Sequence, residues 1–131
     1  MTNVNEDFIS KYPLLFAQSE VNPLGVPYWG IECGAGWHLI LEKLCRQVQS
    51  HVDNQKVEQV VFRQIKEKYG ALRVYYSGGD DYVEGLVDMI EAVSTVICES
   101  CSAPAKLTKL KGGWIKTVCE KCRQKFESQI D

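Results

Sequence analysis

Two Cys-x-x-Cys pairs constrain this chain more than any other feature of its 131 residues. They are Cys98-Glu99-Ser100-Cys101 and Cys119-Glu120-Lys121-Cys122, with 17 residues between them. A tight CxxC turn brings two sulfurs to one side of the backbone. A hairpin that returns the chain lets the second pair complete a tetrahedron, with sulfurs about 2.3 Å from a zinc ion. All four positions are cysteine, so no corner is left for water. Such a Zn2+ site organises structure and does not activate a nucleophile. The competing chemistries are a redox CxxC and an iron–sulfur cluster. A redox motif is a single CxxC at a helix start after a strand, which two copies straddling a hairpin do not resemble. The N-terminus has acids early, a proline at position 13, and no basic stretch followed by an apolar one. It does not read as a secretory signal, and that favours metal or thiol chemistry over disulfides.

The rest of the chain reads as one ordinary domain or a small domain with an appendage. Its apolar fraction is 45% and its charged fraction 24%, which are globular values. No apolar run approaches the roughly 20 residues of a spanning helix, so no membrane role is expected. Residues 5–16 predict a short helix interrupted at Tyr12-Pro13. Residues 17–36 are irregular and glycine- and proline-rich, with Tyr28 and Trp29 expected to pack down. Residues 37–53 predict a helix, because Trp37, Ile40, Leu41, Leu44, Cys45, Val48 and Val52 recur at steps of three and four. Residues 57–65 and 71–76 are β-branched and aromatic and predict an antiparallel hairpin turning at Gly70. A capping acid at 80–81 opens a helix over 81–97 that runs straight into Cys98, so the ribbon should be docked on the body. Within the ribbon, 106–111 and 114–118 flank Gly112-Gly113 as a second hairpin, and 123–130 predicts a short closing helix. The fold class is therefore α+β: a helix–β-hairpin–helix body over 1–97 and a docked four-cysteine zinc ribbon with a short helix over 98–131.

Other residues offer weaker chemistry. Gly34 and Gly36 precede a helix start where backbone amides can receive an anion, with Cys33 and His38 beside them. The plainer alternative is that these glycines let the chain turn tightly beneath Trp29 and Trp37. His38 and His51 each lack a neighbouring histidine, and a solvated or capping role suits both. Asp80 and Asp81 suit helix capping better than metal binding, and Cys45 suits the core. Arg63 and Arg73 with Tyr75 on the first hairpin mix cations with aromatics, which can hold a nucleotide-like anion or simply pack. Residues 1–97 carry a net charge of −5 and residues 98–131 a net +3. Lys106, Lys109, Lys111 and Lys116 could thus meet nucleic-acid phosphate, although ribbons also dock proteins.

Taken in order, Trp29-Gly30-Ile31-Glu32-Cys33-Gly34, then Gly36-Trp37, then the run from Gln64 to Tyr76, then Cys98–Cys101 and Gly113-Trp114-Ile115-Lys116-Thr117-Val118-Cys119 form a specific combination. It resembles a family of small, mostly uncharacterised proteins encoded by bacteriophages and prophages, over about residues 8–124. Where this chain has Ala35 the family often has an acid. The resemblance implies a phage accessory protein acting in the bacterial host cytoplasm. It supplies no reaction. The expected function is a non-enzymatic protein that binds and modulates a host protein, with a defence component as one setting. A nucleic-acid-binding zinc ribbon and a protein that sequesters a small anionic ligand are the alternatives.

Overall fold

A computed structural model of the chain describes residues 4–17 and 31–128. The expected packing of Tyr28 and Trp29 lies outside the described residues, as does the end of the closing helix. The first helix, α1 (Val4–Lys11), stops one residue before Tyr12-Pro13, as the proline requires. Helix α2 (His38–Gln55) buries Leu41, Leu44, Cys45, Val48 and Val52, the stripe its period predicts. Strand β1 (Ile31–Glu32) was not expected; it pairs in parallel with β2 (Val61–Lys68), Ile31 opposite Ile65. Strand β2 then pairs antiparallel with β3 (Ala71–Ser77), giving a sheet of order β1-β2-β3.

The hairpin differs from expectation at both ends. Strand β2 begins at Val61, not at 57, because the chain before it lies against the turn that follows β3. There the Gly79 N–H donates to the Glu58 carbonyl at 3.1 Å. The strand also runs on to Lys68, so the connection shrinks to the two residues Tyr69 and Gly70, with φ of 53° and 84°. Positive φ at both central positions matches the twist of paired strands and holds the hairpin tight.

Helix α3 (Asp81–Ser94) starts where the capping acid predicts. The Asp80 carboxylate accepts the Val83 N–H at 3.2 Å and meets His51 Nε2 at 2.8 Å. It ends at Ser94, three residues early. The Ser94 hydroxyl donates to the Glu91 carbonyl at 2.6 Å and accepts the Leu72 N–H at 2.9 Å. The segment beyond is opened so that its carbonyls serve other elements: Val96 accepts from Ala105 N–H at 2.9 Å and Ile97 from Trp37 Nε1 at 2.9 Å.

Helices α2 and α3 cover one sheet face, closing a core around Trp37, Leu41, Val48, Phe62, Ile65, Leu72 and Val83. The segment after α1 joins it: Phe16 meets Phe62 edge-on at 5.4 Å, and Leu15 accepts the Phe62 N–H at 2.9 Å. A second, smaller cluster gathers Cys98, Leu110, Val118 and Cys122. It belongs to a two-stranded ribbon, β4 (Lys106–Lys109) against β5 (Ile115–Val118), closed by α4 (Glu120–Ser128). The α+β class is as expected. Helix α4 starts three residues earlier than read, because the Arg123 N–H already bonds the Cys119 carbonyl at 2.8 Å. The second CxxC is therefore the first turn of a helix.

Asp80 makes a prediction about acid stability. Its carboxyl lies below its usual range, first through the His51 hydrogen bond and then through the Val83 N–H, with burial opposing. A lowered folded pKa contributes stability above the unfolded value, about 3.9, that is lost as pH falls through the folded one. Asp80→Asn keeps the cap and removes the titration. Its unfolding midpoint should fall less steeply than that of the unsubstituted protein between about pH 5 and pH 3, as read by circular dichroism melts.

Candidate metal centre

The four sulfurs of Cys98, Cys101, Cys119 and Cys122 all lie within 4.8 Å of one another. Cys101 Sγ and Cys119 Sγ are 3.6 Å apart. A tetrahedron with bonds of about 2.3 Å has edges of about 3.8 Å, so the quartet is at coordination spacing. Cys98 and Cys122 are buried, Cys119 is half-buried and Cys101 faces outward. The first knuckle turns on two backbone bonds, Cys98 N–H to Ala103 carbonyl at 2.7 Å and Ser102 N–H to Cys98 carbonyl at 3.0 Å.

Protonation at the quartet is divided. Burial raises the Cys98 thiol, but backbone amides of Cys119, Cys101 and Ser100 outweigh it and hold the group at about 7. Burial, and then the neighbouring Cys119 and Cys101 sulfurs, push Cys122 up to about 12. Four thiolates this close repel one another, and a divalent cation among them removes that cost. The donor set and spacing fit a metal ion held by sulfur alone.

The knuckle is fastened to the body by its own backbone. The Gly36 N–H donates to the Glu99 carbonyl at 2.6 Å, and the Ser102 hydroxyl donates to the Gly36 carbonyl at 2.7 Å. The Gly34 N–H, offered from the sequence as an anion receptor, donates to the Glu99 carboxylate at 2.9 Å. The anion at this loop is thus a side chain of the same molecule. A Cβ at Gly36 would lie 2.2 Å from the Cys98 carbonyl oxygen, so only glycine admits this approach. On the far side the Glu99 N–H donates to the Thr117 carbonyl at 2.9 Å, and the buried Thr117 hydroxyl donates to the Gly70 carbonyl at 2.6 Å. Glu99 is only 8% exposed, and Lys116 Nζ lies 3.5 Å from its carboxylate.

The remaining sequence candidates do not converge. Burial lowers the His38 imidazole, a hydrogen bond at the Cys33 backbone works against it, and its Nε2 is buried without a hydrogen-bond partner among the described residues. Burial, and then Glu99, push the Cys33 thiol up to about 12, so it stays protonated at neutral pH. Arg63 donates to Ser77 Oγ at 3.1 Å, Arg73 lies 3.9 Å from Glu91, and Tyr75 is exposed under Lys66. The four ribbon lysines also separate. Lys116 is paired with Glu67 at 3.2 Å as well as with Glu99. Lys109 stands opposite Ile115 and Lys106 opposite Val118, on opposite ribbon faces. Sequence reasoning missed Glu99, Ser102 and Thr117, which carry the docking. Glu99 sits in a spacer position of the CxxC, where spacing alone assigns no role.

No protein-family model, curated protein or solved structure matches the chain. No helix among the described residues is long and apolar enough to cross a membrane.

Two substitutions separate metal binding from docking. Cys119→Ser should abolish stoichiometric metal retention and amide-exchange protection throughout 98–122, read by elemental analysis and hydrogen exchange. Gly36→Ala should keep the sulfurs but destabilise the chain by on the order of 3 kcal/mol, as overpacking against backbone does. Denaturant titration reads that loss.

Proposed function

We propose that the chain is a non-enzymatic binding protein in which a zinc ion, held by Cys98, Cys101, Cys119 and Cys122, locks a ribbon onto an α+β body. The supporting observation is the closed sulfur quartet, which offers four soft donors and whose flanking carbonyls are bound into the Gly34–Trp37 loop. Thiolate ligation favours zinc among divalent ions of this geometry. The role of the ion is to set the relative position of two surfaces. In this reading the protein is a phage accessory factor that works in the bacterial cytoplasm and modulates a host protein. Interference with a defence component is one setting, resting on the sequence resemblance.

A second reading, nucleic-acid binding, is favoured by one observation. Lys109 and Lys111 are exposed and carry no ion pair among the described residues, unlike Lys116.

Elemental analysis should find one zinc per chain. Affinity capture from bacterial lysate should retain a partner with the unsubstituted protein and lose it with Cys119→Ser. Turnover of nucleotides or nucleic acid by the purified protein, abolished by a single substitution at Cys33, Asp80 or Asp81, would establish an enzyme instead.

A further inference from the structure

Cross-strand partners share a sheet face, so the register of β2 and β3 sorts their side chains. Ile65 and Val74 face the helices. Lys66, Lys68 and Tyr75 therefore stand on the opposite face. Lys66 Nζ lies 5.7 Å from the centre of the Tyr75 ring, and Lys68 Nζ lies 5.8 Å from that of Tyr69. Beyond Tyr69 the sheet meets the ribbon: at Gly70 a Cβ would sit 2.5 Å from Leu107 Cδ2. Tyr69 and Trp114, from the tips of two different hairpins, line one open groove of about 440 Å³, with Ile115 and the Glu67–Lys116 pair beside them.

Both aromatics are turned outward, Tyr69 71% exposed and Trp114 62% exposed. Tyr69 also holds φ at 53°, a left-handed backbone that a bulky residue rarely adopts. The rings therefore gain little from burial. Lys68 lies by the Tyr69 ring, and Lys109 is the cross-strand partner of the groove residue Ile115. Lys111 is in the same turn as Trp114, its N–H donating to Glu127 at 2.8 Å. None of the three is ion-paired among the described residues.

The geometry points to single-stranded nucleic acid as the ligand of this face, its bases stacked on Tyr69 and Trp114 and its phosphates met by the flanking lysines. This deepens the nucleic-acid reading above and rests on it. Charge complementarity selects a polyanion, and open π-faces select one whose own rings are unstacked. An acidic peptide would satisfy the lysines but leave two rings without planar partners. A duplex keeps its base faces inside its own stack.

The test uses the full chain with its metal and fluorescent oligo(dT) and oligo(rU) of about 15 nucleotides, beside a duplex of equal length. Anisotropy is followed across salt. Either single strand should bind, with the duplex at least roughly tenfold weaker. Tyr69→Asn, which suits the left-handed turn, and Trp114→Ala should each weaken binding roughly tenfold without changing the salt slope. Lys109→Ala should reduce that slope by about one. Trp37 is fully buried. Trp29 remains in both proteins, so emission quenched at saturating oligonucleotide in the unsubstituted protein, and not at saturation in Trp114→Ala, reads the stacking on Trp114. Equal affinity for duplex and single strand, with both aromatic variants unchanged, overturns the aromatic track and leaves the nucleic-acid reading standing. Absence of binding at low salt overturns both.

Discussion

The contact between the first cysteine knuckle and the glycine loop decides how the halves of this molecule sit. Gly36 passes against the Cys98 and Glu99 backbone more closely than any side chain would allow, and two amides of the loop bond Glu99. The same residue reaches across to β5 through its own N–H. A single peptide segment therefore belongs at once to the sulfur quartet, the body and the ribbon. The position of the ribbon on the body and the geometry of the sulfur quartet therefore depend on the same backbone. An ion that orders Cys98 and Cys101 also orders the acceptors that the body requires.

Burying the Glu99 carboxylate would be costly without partners. Here it receives the Gly34 amide and lies near Lys116, which in turn reaches Glu67 at the end of β2. The chain of interactions runs from the loop through the knuckle to the β-hairpin turn, where Thr117 bonds the Gly70 carbonyl. Two hairpin tips that are 45 residues apart in sequence, at Tyr69 and Trp114, are thereby held on one side of the protein. An ion held by the four sulfurs would sit at one end of this chain of interactions. The contacts between ribbon and body make a composite surface that neither half owns.

Periodicity and turn chemistry made most of the fold legible. The stripe of α2, the cap at Asp80, the break before Pro13 and the presence of both hairpins follow from local rules, because each is decided by residues within a few positions of one another. The ribbon hairpin, however, turns over residues 110–114 and not over the two glycines alone. The misses have a common cause. Strand β1 is too short to carry an alternation. Helix α3 ends early because Ser94 turns toward Leu72, 22 residues away. Helix α4 begins inside a CxxC that was read only as ligand spacing. In each case a partner distant in sequence overrode the local preference.

At the site the same division holds. Cysteine spacing alone picked out the four sulfurs that the fold gathers within 4.8 Å of one another, because the reach of a CxxC turn leaves little freedom. Whether Gly34 and Gly36 received a foreign anion could not be read from their own neighbourhood. The answer lay 65 residues on, in a glutamate that local sequence marks as a spacer. Which lysines stay unpaired, and which aromatics share a groove, likewise depended on how two separately legible units meet. Short-range backbone preferences are written residue by residue, whereas the match between two surfaces exists only once both have folded.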